Sequence, residues 1–329
     1  MVKKTGKRSK KDYQGGSTKV NNGSQLKRVL ENGEFAVTAE CGPPKGADPE
    51  IVRKKGELLR GNVDAVNVTD NQTAIVRMSS LAACALLKQA GLEPVLQMVV
   101  RDRNRIALQS DVLGASALGI RNLLCLSGDH QVFGNQPDAI GVFDLDSMQF
   151  LQVVKGMRDK GVILGNDALQ TSPDLFIGAA ANPFADPKEF RVVRLAKKIK
   201  AGADFIQTQC IYNLDRFEAW LSMARDRGLT EKVFILGGVT PLKTAGMAKY
   251  MKTRVSGMDI PDEIIRRMEG VPKEKQREEG ISICVETITR LKELKGVNGV
   301  HIMAIEWEEA VKEIAERAGL LPRPVFGEG

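Results

Sequence analysis

Glu40 ends the apolar run Phe35-Ala36-Val37-Thr38-Ala39-Glu40, and Gly42, Pro43 and Pro44 follow almost at once. Proline cannot donate to a sheet ladder and glycine permits a sharp bend, so a strand must stop at or just after Glu40. A carboxylate at the carboxyl end of a strand is a candidate for proton transfer, because in a parallel α/β fold that end is where ligands bind. A rim carboxylate that merely accepts a backbone N–H would look the same, so Glu40 alone leaves both readings open. Other apolar runs end in similar residues: Thr69-Asp70-Asn71-Gln72, Gln97, Ser127-Gly128-Asp129-His130, Ala181-Asn182-Pro183, Gln207-Thr208-Gln209, Gly237-Gly238-Val239-Thr240 and Glu306. Amides and carboxylates placed so can orient a polar heterocycle, and the glycines let it approach the backbone. The only histidines are His130 and His301, and His301, inside an apolar run, reads as a core residue. The spacing shows no metal-ligand triad, no phosphate-binding glycine loop and no nucleophile elbow.

The elements that must position these residues alternate regularly. Strands are expected at residues 35–40, 65–69, 94–99, 122–127, 175–181, 204–209, 233–238 and 299–305. Helical patterns fall between them at 49–60, 74–90, 104–118, 147–160, 187–201, 214–227 and 242–252, with another at 308–318 and a short helix at 24–32. Eight such units predict an α/β fold, a (β/α)₈ TIM barrel, whose buried strands read as continuous apolar runs. Residues 131–146 form a long polar loop on the catalytic face, and residues 255–295 add extra helices before the last strand.

The chain has 329 residues, 43% hydrophobic and 27% charged, enough for one large domain. Its net charge is +7, but residues 1–12 hold six basic side chains against one acid, so the basic character belongs mostly to the tail. Residues 1–23 are expected as a solvated, disordered basic arm and residues 24–329 as a single barrel domain. Aromatic residues make up only 5% and do not interleave with basic runs, which argues against a nucleic-acid platform. The five cysteines show no paired spacing, so neither a disulfide framework nor a zinc or iron–sulfur site is readable. No secretory apolar segment and no membrane-length apolar run occurs, so a cytoplasmic protein without a membrane partner is expected.

Five segments in order, FAVTAECGPPKG, ALGIRNLLCLSGDH, LFIGAAANP, LAKKIKAGADFIQTQCIYN and GVNGVHIMAIEWE, resemble the methylenetetrahydrofolate reductase family, flavin-dependent (β/α)₈ barrels. The resemblance runs from about Glu34 to the C-terminus. It implies that 5,10-methylenetetrahydrofolate is reduced to 5-methyltetrahydrofolate by hydride from N5 of a reduced flavin, with FAD favoured over FMN. Under it Glu40 matches the general acid that protonates N10 of the folate and opens its five-membered ring. Asp129 matches the acid that lies near the flavin and tunes it, and Gln209 matches a glutamine that contacts folate. Thr69, Gly128, Ala181, Asn182 and Lys198 match positions that line the flavin, and Gln97 replaces a histidine there.

The chain departs from the family pattern at three places. Ala245 stands where nicotinamide-using members carry a Phe that packs against folate or nicotinamide. Glu306-Trp307 stands where they have an Asn-Arg pair that helps hold the folate tail, and Ser127 stands where they have Arg. The chain resembles the short anaerobe or acetogen type, which implies an oligomer working beside an iron–sulfur and zinc partner subunit as electron donor. Two other classes stay open: a pterin-binding barrel that transfers a methyl group to a corrinoid protein, and a non-catalytic scaffold subunit of an electron-transfer complex.

Overall fold

The computed structural model describes residues 23–255 and 257–326. Apart from Gly23, the basic arm expected over residues 1–23 lies outside the described residues. Eight parallel strands close into a barrel in chain order: β1 (Ala36–Cys41), β2 (Ala65–Val68), β3 (Pro94–Val99), β4 (Asn122–Leu126), β5 (Phe176–Ala181), β6 (Phe205–Cys210), β7 (Phe234–Val239) and β8 (Gly299–Ile302). Around and below them lie α1 (Gln25–Glu31), α2 (Pro49–Leu59), α3 (Ser80–Gln89), α4 (Arg105–Ala117), α5 (Ser147–Lys160) and α6 (Lys188–Ala201). After these come α7 (Leu214–Asp226), α8 (Ala245–Arg254), α9 (Asp262–Glu269), α10 (Gln276–Glu293) and α11 (Ala310–Arg317). The fold is the (β/α)₈ barrel that the alternation of apolar runs and helical patterns predicts. Among the described residues no helix is long and apolar enough to cross a membrane.

Several helices begin where a short polar side chain takes one or two of their first free N–H groups. Asp48 accepts from Glu50, Ser79 from Ala82, Asn104 from Ile106 and Ala107, and Asp146 from Met148 and Gln149. The helix expected from residue 74 starts at Ser80 instead. Thr73 and Ala74 both adopt a left-handed φ of 56°, which a right-handed helix cannot contain. The extra helices before β8 also differ in role from the sequence expectation, which puts the ring helix at residues 242–252. It is α10 that packs on both β7 and β8, whereas α8 and α9 pack on each other around Leu242, Met251, Ile260 and Met268. Gly280 lets α10 lie close, since a Cβ there would sit 1.8 Å from the carbonyl oxygen of Leu242.

Side chains alternate along a strand, so Ala36, Thr38 and Glu40 of β1 face the barrel interior while Val37, Ala39 and Cys41 pack outward against helices. The same parity around the barrel stacks the interior in layers. At the amino end, Ala36, Ala65, Val95, Leu124, Phe176, Phe205 and Leu236 make an apolar layer, closed from below by Leu26, Val29 and Leu30 of α1. Gly178 leaves room for the Phe205 ring, from which a Cβ would lie only 2.3 Å. Above this layer sit the buried polar side chains of Thr38, Asn67, Gln207 and His301.

A clasp beyond α11 fastens the amino end of the barrel. Arg323 donates to the two carboxylate oxygens of Asp64 at 3.0 and 2.6 Å and to the carbonyl of Phe35 at 2.8 Å. Asp64, itself buried, also accepts from the Val37 amide at 2.7 Å. Without the guanidinium the Asp64 charge would stay buried and unpaired. Arg323→Ala is therefore expected to lower the unfolding free energy by about 3–5 kcal/mol, read from urea denaturation. A change within experimental error would show that the clasp does not hold the barrel.

Candidate active site

The carboxyl ends of the strands open into a cavity of about 470 Å³. Its floor takes the inward-facing residues of successive strands: Glu40 from β1, Gln97 from β3, Leu124 and Leu126 from β4, Ala180 from β5, Gln207 and Gln209 from β6, and His301 from β8. Of the residues singled out in the sequence, Glu40, Gln97, Ser127, Gly128, Asp129, Ala181, Asn182, Lys198 and Gln209 all line this one space. Three others do not. Thr69 is buried beside the cavity-lining Asp70, and its hydroxyl has no hydrogen-bond partner among the described residues. Ala245 begins α8 in the outer helical layer, where its amide donates to Gln276 Oε1 at 3.0 Å. Glu306 lies exposed on the rim with its carboxylate 3.5 Å from Arg77 Nη2, and its neighbour Trp307 is buried, with the Arg277 guanidinium 5.5 Å from the ring centroid.

Glu40 is the most unusual group on the floor. It is 8% exposed, and its carboxyl has no hydrogen-bond partner among the described residues. Burial raises its pKa from the ordinary 4.5 to about 7, helped by the negative charge of Glu308. Glu308 is held by Lys55 at 2.6 Å, which spends that cation on a partner other than Glu40. His301 Nε2 approaches Glu40 Oε1 at 4.0 Å, and burial pushes the imidazole pKa down to about 3, so the ring is neutral near pH 7 and the contact is not an ion pair.

Beneath Glu40 the polar layer satisfies itself. Asn67 and Gln207 exchange amide hydrogen bonds at 2.7 and 3.1 Å, Gln207 donates to Thr38 Oγ1 at 3.2 Å, and Thr38 Oγ1 lies 2.9 Å from His301 Nδ1. His301 is thus the satisfied buried residue that its apolar run predicts, but its second nitrogen faces the cavity. Strand parity was the available signal, because His301 and Met303 face the way Thr38 and Glu40 do.

At the other side of the mouth Arg101 lines the cavity two residues beyond β3. It donates to the backbone carbonyls of Asp129 at 2.8 Å and Asn71 at 3.3 Å, and to both carboxylate oxygens of Asp102. A guanidinium therefore stands beside the Ser127-Gly128-Asp129 turn although Ser127 itself is not arginine. Gly128, at φ 85°, fits closely, since a Cβ would come 3.0 Å from Val99 Cβ and 3.2 Å from Arg101 Cβ. Asp129 Oδ2 accepts from the Thr73 amide at 3.0 Å, tying the loops after β2 and β4 together. In a third corner α6 presents Arg191, Arg194 and Lys198. None of the three pairs with a carboxylate among the described residues, and burial, with Arg194 nearby, pushes the Lys198 pKa down to about 8.

A family profile described as methylenetetrahydrofolate reductase matches residues 25–319. The chain belongs to this family. It is 23% identical over 311 residues to the "Probable methylenetetrahydrofolate reductase (NADPH)" of Caenorhabditis elegans, covering 90% of this chain and 44% of that one. It is 29% identical over 213 residues to "Methylenetetrahydrofolate reductase 1" of Schizosaccharomyces pombe, covering 63% of this chain and 32% of that one. The chain thus spans less than half the length of these curated relatives. A Clostridium thermocellum protein described as binding two copies of 5-methyl-5,6,7,8-tetrahydrofolic acid shares the fold, with a TM-score of 0.60 and 18% identity over 88% of this chain and 97% of its own.

Methylenetetrahydrofolate reductases are generally flavin-dependent, and the residues present here fit such a group. The Gln97 side chain lines the cavity, and its amide has no hydrogen-bond partner among the described residues. Buried polar groups rarely stay so unless a ligand completes them. The unpaired cations of α6 suit a phosphate, and Leu124, Leu126 and Met303 supply apolar wall for a ring.

The raised pKa of Glu40 also makes a stability prediction. Below its unfolded value near 4.5 both states are protonated and burial costs nothing through ionisation. Between about 4.5 and 7 the unfolded chain ionises while the folded one keeps its proton, so stability falls across that window and the loss is complete above about 7. Glu40→Gln should leave apoprotein stability nearly unchanged near pH 4.5 and raise it by about 3 kcal/mol near pH 8. Equal denaturation midpoints for the two proteins at pH 8 would contradict the shift.

Proposed function

We propose that the protein reduces 5,10-methylenetetrahydrofolate to 5-methyltetrahydrofolate, with FAD bound in the cavity and a partner protein as electron donor. The observation that carries this reading is Glu40, a carboxyl on the cavity floor with no hydrogen bond of its own among the described residues and a pKa lifted to about 7, so that a large share keeps its proton near neutral pH. That is the state a general acid needs. The bound flavin supplies the hydride.

Glu40 gives its proton to N10 of the substrate as the bond from N10 to the methylene carbon breaks, and the bonding electron pair stays on N10. The carbon is left as an iminium on N5, ready to accept hydride and become the methyl group, and Glu40 is left as a carboxylate. The amides of Gln97 and Gln209 offer donors and acceptors to the edges of flavin and pterin, and the apolar residues of β4 keep water from the reacting carbon. Three cations at the α6 corner favour a diphosphate, hence FAD. The names of the longer relatives and the folate bound by the Clostridium thermocellum protein support the substrate class.

The partner rests on what the mouth lacks. No Phe, Tyr or Trp lines the cavity among the described residues, and Ala245 lies outside it. A nicotinamide ring would forgo a stacking contact worth about 0.5–1.5 kcal/mol. The loop after β4 presents Val132, Phe133 and Ile140 to solvent on the carboxyl face of the barrel, an apolar surface suited to a protein such as an iron–sulfur and zinc subunit.

Two measurements test the reading. Glu40→Gln should retain flavin and its reduction by an artificial donor yet lose folate reduction by about 10²-fold or more, and wild-type kcat should fall as pH rises through about 7. Near-normal folate turnover in that variant would sink the assignment. For the donor, stopped-flow reduction of the bound flavin by NADH alone should be far slower than turnover with artificial low-potential donors. Reduction as fast as turnover would show a barrel that needs no partner.

A further inference from the structure

We infer that His301 is a positioning residue for Glu40: its Nε2–H faces the carboxyl and stabilises the anion that proton transfer leaves behind, and a chain of side chains from Asn67 fixes that tautomer. The inference rests on the reading of Glu40 as the proton donor. It begins with the reciprocal pair of Asn67 and Gln207. Asn67 Nδ2 donates to Gln207 Oε1 at 2.7 Å and Gln207 Nε2 donates back at 3.1 Å, an arrangement that turns the Gln207 amide nitrogen toward Thr38. The remaining N–H of Gln207 then points to Thr38 Oγ1 at 3.2 Å.

Having accepted there, the Thr38 hydroxyl has one proton to give and two acceptors in reach. The carbonyl of Val300 is 3.4 Å away and His301 Nδ1 is 2.9 Å away, so the imidazole receives it. A neutral ring whose Nδ1 accepts carries its only proton on Nε2. That nitrogen lies 4.0 Å from Glu40 Oε1. The gap is too long for a hydrogen bond to the neutral acid, and a small rotation closes it once the carboxyl becomes negative.

The other groups around Glu40 do not offer this help. Glu308 opposes ionisation, and Lys55 is engaged by Glu308. The thiols of Cys41 and Cys210 are pushed up to about 12 by burial and stay neutral. The Nε2–H dipole is the one donor facing the carboxyl from β8, and it lets a buried acid release its proton without a fixed positive charge that would ionise it too early.

The chain has two histidines, so ¹⁵N-histidine spectra of the purified protein contain two rings, and His301→Gln identifies the buried one. The expected result is a neutral Nε2–H tautomer that does not titrate between pH 5 and about 9. An Nδ1–H tautomer would overturn the inference. The second readout is the infrared carboxyl band that disappears in Glu40→Gln, followed against pH. His301→Met, which removes the donor, should raise its midpoint by about one pH unit. His301→Gln, which keeps an N–H, should raise it by less than half as much. Thr38→Val, which leaves Glu40 in place but releases the tautomer, should raise it as well, and serves if His301→Met does not fold. Unmoved midpoints in folded His301→Met or Thr38→Val would overturn the inference. Normal folate turnover in Glu40→Gln would instead remove the acid role, and the tautomer and midpoints would still decide whether His301 governs the ionisation of Glu40.

Discussion

A closed eight-stranded barrel has room inside for side chains and almost none for bulk water. Every polar group aimed inward must therefore be satisfied by another inside the barrel or leave its demand to a ligand. This constraint sorts the interior. Asn67, Gln207, Thr38 and His301 answer one another in a single layer, and the apolar layer below them is sealed by α1. Glu40, Gln97 and Thr69 at the carboxyl end are left unanswered. Glu40 and Gln97 share the floor of one cavity, and that floor is where a ligand can meet them.

One cause also sets the ionisation pattern. Burial raises the carboxyl of Glu40, lowers the ammonium of Lys198 and lowers the imidazole of His301, and each shift favours the uncharged form. Charge is instead spent at the rim, where it is paired and ties loops together. Arg103 joins Asp70 to the loop after β3, Arg105 holds Asp144 in the loop after β4, and Arg101 bridges the backbones of Asn71 and Asp129. Of the non-glycine residues in the left-handed region, Asn71, Thr73 and Ala74 lie in the loop after β2, Phe143 in the loop after β4 and Glu306 after β8, all at the mouth, whereas Asn166 lies between α5 and β5. Such backbone costs about 1–3 kcal/mol per residue and persists only where the surroundings enforce it.

The strands were legible because barrel strands are apolar on both faces and end abruptly in glycine, proline or polar residues, as at Glu40 and Gly42. The floor of the cavity was legible for the same reason, since strand ends converge in this architecture wherever they lie in sequence. What could not be read depends on three-dimensional packing. The ring position of α10 hinges on how closely Gly280 approaches Leu242, and no periodicity reveals that. In the sequence Arg101 stands beside Arg103 and Arg105 with nothing to single it out, and its hold on Asp129 exists only when β3 and β4 lie side by side. Ala245 and Glu306 follow strands whose ends do reach the mouth, but the chain turns away before one side chain and outward to solvent at the other.

The two ends of the described chain are neighbours. Gln25 Nε2 donates to the carbonyl of Pro324 at 3.5 Å, and Phe326 packs near the apolar layer that α1 closes. Both lie at the amino end of the barrel, the pole opposite the cavity. The order in which the chain visits its eight units is therefore nearly free of the geometry that holds the site: a short linker could join these ends and new termini could be cut into an exposed loop on the amino-end face, with the barrel closing as before. Among the described residues, the chain enters and leaves the barrel at one pole and the cavity opens at the other.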